Sequence, residues 1–115
     1  MTLTKKFIKG FSEVIILQIL NEKRPMYGYE LLREIEEQSD RDFVFEEGTL
    51  YPLLYRLEAK KYITSKKKIA PSGKERRYYS LTDSGKKLLE SKIKELKSLM
   101  KGLKRLLPLN SESYV

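Results

Sequence analysis

Between Lys66 and Arg77 the chain carries six cations, Lys66, Lys67, Lys68, Lys74, Arg76 and Arg77, against the single acid Glu75. Just upstream, Thr49, Tyr51, Pro52, Tyr55 and Arg56 fall within eight positions. Lysine and arginine neutralise phosphates, and Tyr and Thr hydroxyls donate to phosphate oxygens. An arginine can also fork onto a guanine edge. These residue types point to binding of a polyanion rather than to bond-breaking chemistry. Cys and His are absent, which removes thiolate and imidazole nucleophiles, general bases and the usual transition-metal ligands. Between Glu30 and Glu47 the acids lack the Asp-x-Asp-x-Asp-Gly order of a calcium loop. No catalytic residue, no metal site and no cofactor is expected.

Charge is distributed unevenly. Twenty-four Lys and Arg against 16 Asp and Glu give a net charge of +8 over 115 residues. Arg56 to Ser80 holds nine bases and two acids, Glu30 to Leu50 eight acids and two bases, and Thr82 to Leu107 eight bases and three acids. Such a dipolar layout suits one surface facing a polyanion and another facing away. Charge alone also fits a solvated lysine-rich surface, so the elements that carry it must decide. At this length the chain makes one small domain with an arm or tail. No apolar run approaches a membrane span, and the lysine-bearing N-terminus has no secretory h-region, so the cytoplasm is the expected location.

Phe11 to Leu20 is apolar on almost every side and predicts a central, buried helix that Pro25 limits. Phe7 and Ile8 form a further turn or an arm. Tyr27 to Gln38 reads as a short amphipathic helix with Leu31, Leu32 and Ile35 on its stripe. Tyr29 is expected in the core and Tyr27 as a donor to a phosphate. Ser39 to Asp42 is a polar connector, and Phe43 to Phe45 an extended anchor. In the helix from Gly48 to Lys60, Leu50, Leu53, Leu54 and Leu57 make a complete core face. Pro52 requires that this helix begin only just before it, near Thr49, or be irregular there. Thr49 also suits an N-cap. Opposite the leucines stand Gly48, Pro52, Tyr55, Arg56 and Ala59, flanked by Thr49, Tyr51 and Lys60. That face is unlike a generic solvated one.

Ile63–Ile69 and Glu75–Leu81 predict two strands around the turn residues Ala70-Pro71-Ser72-Gly73-Lys74. Tyr79 and Leu81 face inward, Arg76 and Tyr78 outward. Thr82 caps a last helix that ends before Pro108. Leu89, Ile93, Leu96, Met100, Leu103 and Leu107 step along it by 4, 3, 4, 3 and 4, a heptad seam. The preceding helices offer too little apolar surface to cover that seam, so a second copy of the chain is the expected cover, with help from Phe7 and Phe11.

The fold class expected is mainly α with a small β-hairpin. Residues 1–81 form a winged helix-turn-helix DNA-binding domain, 82–107 a dimerisation helix and 108–115 a loose tail. In such a module the third helix enters the major groove and the hairpin wing reaches the neighbouring backbone or minor groove. Three strings carry a resemblance as well. Met26-Tyr27-Gly28-Tyr29-Glu30-Leu31, Glu47-Gly48-Thr49-Leu50-Tyr51-Pro52-Leu53-Leu54-Tyr55-Arg56-Leu57-Glu58 and Arg76-Arg77-Tyr78-Tyr79-Ser80-Leu81-Thr82-Asp83-Ser84-Gly85 resemble the PadR family of bacterial and archaeal transcriptional regulators. The likeness spans roughly residues 10 to 107, and the single last helix is similar to the smaller subclass. It implies a homodimeric repressor on a double-stranded operator, released by a small-molecule effector. It also implies Thr49, Tyr51 and Pro52 as recognition contacts and the wing cations as backbone contacts.

One departure concerns the effector. The segment from Thr82 to Leu107 has no Phe, Tyr or Trp, so stacking on a flat aromatic ligand cannot come from it. An effector site at the dimer centre would be lined by Leu96, Met100 and Leu103 with the N-terminal phenylalanines. The rival reading is a winged-helix interaction module that binds protein or RNA without operator specificity and does not depend on Tyr51 or Arg56.

Overall fold

A computed structural model describes residues 2–109, so positions 110–115 of the expected tail lie outside the described residues. The elements run α1 (Lys5–Lys9), α2 (Ser12–Glu22), β1 (Met26–Tyr27), α3 (Gly28–Gln38), α4 (Glu47–Ala59), β2 (Ile63–Ile69), β3 (Glu75–Leu81) and α5 (Asp83–Leu106). The predicted order of three helices, hairpin and long helix is present with two additions, the Phe7–Ile8 turn as the short helix α1 and the strand β1, and the winged-helix fold class holds.

The core forms where apolar stripes of three helices meet one face of the sheet. Ile16 and Leu17 of α2, Leu31 and Ile35 of α3, Leu50, Leu54 and Leu57 of α4 and Ile63 of β2 are almost fully buried. The leucines of α4 therefore point inward as their spacing requires, which fixes the opposite face outward. Between α3 and α4 the chain reverses on Asp40 and Arg41, both at positive φ, 50° and 67°. The Ser39 hydroxyl stabilises the reversal by donating to the Ile35 carbonyl at 2.8 Å and accepting from the Phe43 N–H at 3.0 Å.

Four local expectations need correction. The sheet has three strands in the order β1-β3-β2, because Met26 and Tyr27 pair with Tyr79 and Tyr78. Two residues are too few to show alternation in a sequence. Tyr29 is 52% exposed rather than in the core. It stands two positions before Leu31, about 200° around the helix, so burying Leu31 turns Tyr29 outward. α4 begins at Glu47 and holds Pro52 as its sixth residue. Pro52 has no N–H for the Gly48 carbonyl, and because that carbonyl lies on the exposed face, water can take its place. Thr49 is then inside the helix and does not cap it; Glu46 holds the cap position.

α5 runs for 24 residues, roughly 36 Å. Its start is tightly fixed. The Thr82 hydroxyl accepts from the Gly85 N–H at 3.0 Å and donates toward the Lys61 and Tyr62 carbonyls at 2.7 and 2.9 Å. Gly85 itself is buried against the Tyr62 carbonyl and Leu81, where a side chain of any size would overlap them. Leu89, expected on a partner-facing seam, is 3% exposed and belongs to the domain's own core. Ile93 and Leu96 also pack partly against that core. Farther along, Met100 is 55% exposed, Leu106 and Leu107 are also exposed, and Leu103 is half-buried. No described helix is long and apolar enough to cross a membrane.

Candidate nucleic-acid interface

The outward face of α4 splits into two flanks around Tyr55, which is 77% exposed. On one flank Thr49, Pro52 and Arg56 line a groove of about 340 Å³ shared with Lys5 and Lys9 of α1. Arg56 makes no hydrogen bond or ion pair among the described residues, so its guanidinium is open to a ligand. On the other flank the Tyr51 ring lies against Gly28 at the start of α3, so closely that a methyl group there would overlap the ring and its hydroxyl. Gly28 thus sets where Tyr51 sits, a role that the Met-Tyr-Gly-Tyr string does not reveal by itself.

That contact makes a test. Unlike a backbone atom, an exposed tyrosine ring can swing away, so Gly28→Ala should leave the fold intact while displacing Tyr51. The variant should melt close to the wild type and lose on the order of 1 kcal/mol on cognate duplex DNA. A variant with unchanged DNA affinity would remove Tyr51 from the interface.

The hairpin places its cations on two faces, as strand alternation demands. Lys66 pairs across with Tyr78 and Lys68 with Arg76 on the outer face; Lys67 pairs with Arg77 on the other. On the outer face β1 adds Tyr27, whose ring meets Tyr78 edge-on at 5.5 Å. Arg76 lies over Tyr27 at 5.2 Å and Lys68 over Tyr78 at 5.9 Å, both within cation–π range. Arg76, Lys66 and Lys68 have no acid partner among the described residues. Aromatic faces hold two of these cations without cancelling their charge, and the surface remains positive.

The inner face is less free. Arg77 donates to the Ser65 hydroxyl at 2.9 Å, and that hydroxyl donates in turn to the Glu58 carboxylate of α4. Lys67 lies 3.9 Å from Glu75. This network binds the hairpin to the C-terminal half of α4, so Arg77 has a structural role beside any phosphate contact. Lys74 stands in the turn next to Gly73, whose φ of +88° explains the glycine there. Beneath the network Tyr79 is buried, and burial first, then the Glu58 carboxylate, pushes its hydroxyl above its ordinary value. It therefore stays a neutral phenol and adds no negative charge under the cationic face.

Tyr27 thus joins the outer face of the wing, while Tyr51, Tyr55 and Arg56 stand exposed on the outward face of α4. Residue spacing alone does not single out Gly28, which sets the Tyr51 ring, or Lys5 and Lys9, which line the α4 groove. The lysines were visible as Lys5-Lys6 and Lys9, but five helical residues give no periodicity to place them. Away from these two surfaces, Phe7 is exposed and Phe11 half-buried; with Ile93 and Leu96, Phe11 lines a second, apolar cavity of about 460 Å³ between α2, α3 and α5.

Residues 16–91 match the family model described as the transcriptional regulator PadR-like family. A transcriptional regulator from Clostridium thermocellum superposes with a TM-score of 0.81 at 33% identity, over 90% of this chain and 99% of that one. A PadR-like transcriptional regulator from Bacillus cereus gives 0.76 at 30% identity, over 89% and 96%. A protein of Lysinibacillus sphaericus is 38% identical over 88 residues, 76% of this chain and 80% of its own length.

Proposed function

Because the chain belongs to the PadR-like family of transcriptional regulators, we propose that this DNA-binding regulator is a homodimeric repressor that leaves its operator when a small effector binds. Residues 1–81 hold the duplex and the helix over 82–107 joins the two copies. The observation that carries the DNA reading is the outward face of α4, with unpaired Arg56 and bare Tyr55 beside a wing whose outer cations have no acid partner. α4 reads base edges with Tyr51, Tyr55 and Arg56, while Thr49 and Pro52 set its approach. Lys66, Lys68, Lys74 and Arg76 bind phosphates, joined by Lys67, Arg77 and the Tyr27 hydroxyl. The exposed Leu99, Met100, Leu106 and Leu107 support a partner copy. An effector would enter near the apolar cavity beside Leu96 and extend toward Met100 and Leu103.

The test compares cognate and random DNA at several salt concentrations. Lys68→Ala should weaken binding to both and flatten the plot of log affinity against log salt by about 0.9, the signature of one lost phosphate contact. Arg56→Ala and Tyr51→Ala should cost about 1–3 kcal/mol on cognate DNA and little on random DNA. Equal loss on both DNAs for Arg56→Ala would show that α4 does not read sequence and would favour a generic basic module.

A further inference from the structure

We propose that α1 is a third DNA-binding element: Lys9 contacts duplex phosphates along the α4 groove, and Lys5 screens the acid Glu46 at the edge of that groove. The inference rests on the reading of the chain as a duplex-DNA-binding protein.

Two observations carry it. First, α1 is docked in place although it has only five residues. Ile8 is buried in the core, the Leu3 N–H donates to the Asp42 carbonyl at 2.8 Å, and the Thr2 hydroxyl donates to the Arg41 carbonyl at 3.0 Å. These bonds tie the segment to the α3–α4 connector, so its lysines keep a fixed position relative to α4. Second, the charges are arranged for a phosphate. The groove between α1 and α4 is lined by Lys5, Lys9 and Arg56 against Glu13 and Glu46. The Lys5 ammonium lies 2.9 Å from the Glu46 carboxylate. Lys9 and Arg56 have no acid partner among the described residues.

Glu46 and Glu47 open α4, where they complement the helix dipole. They also stand where a phosphate backbone must pass if α4 enters a groove, and would repel it. The Lys5–Glu46 pair cancels one of those charges at its source. Both side chains are largely exposed, so the pair adds little to stability. Its effect is on the field that incoming DNA meets.

The full-length protein and a short random-sequence DNA duplex, titrated across a salt series, test this. Lys9→Ala should flatten the log–log salt slope by about 0.9. Lys5→Ala should weaken binding severalfold, and Lys5→Ala with Glu46→Ala should return it to near the wild-type value. Circular dichroism melts establish that each variant is folded. If the wild type binds the duplex but Lys9→Ala keeps its slope, or Lys5→Ala binds as well as the wild type, α1 is not a DNA element. A failure of Glu46→Ala to rescue Lys5→Ala overturns the screening role. If the wild type binds no duplex at all, the DNA reading itself falls, and the α1 inference with it.

Discussion

Gly85→Ala should destabilise the folded chain by about 3 kcal/mol, at the upper end of what overpacking costs. For a domain of this size that lowers the melting temperature by roughly 10 °C or more. The reason is what a methyl group at Gly85 would strike: the Tyr62 carbonyl, a backbone atom. That oxygen cannot step aside cheaply, because it accepts from the Thr82 N–H at 3.1 Å and from the Thr82 hydroxyl at 2.9 Å. Making room means breaking the cap of α5. Gly102 on the same helix is the control. A methyl group there meets nothing within 4 Å in its own chain, so Gly102→Ala should gain about 1 kcal/mol from helix propensity alone. Paired calorimetric melts at matched protein concentration decide the matter. If Gly85→Ala melts with the wild type, α5 does not meet the base of the hairpin as described.

Met100→Glu with Leu107→Glu should convert the protein to a monomer and lower its affinity for a two-half-site operator on the order of a hundredfold. Both residues are largely exposed within one chain, at 55% and 48%, so the charges do not enter the domain core. In a symmetric dimer they would face each other across the seam, where buried, unpaired carboxylates are costly. The loss of affinity follows because each monomer then holds only one half-site. Leu96 and Leu89 are poorer targets, since both pack against their own domain and their loss would confuse unfolding with dissociation. Sedimentation of wild type and variant at micromolar concentration reads the assembly, and footprinting reads the DNA. A monomeric wild type, or a doubly substituted protein that still sediments as a dimer, would refute this arrangement.

Much of this architecture was legible in the sequence because periodicity and punctuation agreed there. Leu50, Leu53, Leu54 and Leu57 oriented α4, and with it the candidate reading face. Pro71, Ser72 and Gly73 marked the hairpin, whose two strands run as expected, and Thr82 capped α5 as its type suggested. What escaped was information that spacing does not carry. The seam on α5 repeats by 4 and 3 from Leu89 onward, but spacing cannot tell an apolar residue covered by its own chain from one that needs a partner. Leu89 is the first kind and Met100 the exposed kind. The contact of Gly28 with Tyr51 joins residues 23 positions apart, so only the fold brings it to light. Tyr29 misled through its type, although its offset from Leu31 held the answer.

The join at Thr82 and Gly85 also has a mechanical meaning. α5 leaves the base of the hairpin through a joint with no slack: a glycine with no room for a methyl group, and a threonine hydroxyl held by two carbonyls. Beyond it the helix extends for roughly 36 Å. Such a geometry is a lever with a stiff pivot. Because the pivot does not give, domain and arm turn as one body, and a turn of only about 5° carries the far end through about 3 Å. In the proposed dimer, a small molecule that spread the joined arms would tilt each wing by the same angle. The proposed effector site beside Leu96 lies about 21 Å along that arm from Thr82, so a push there would act on the wing from a distance.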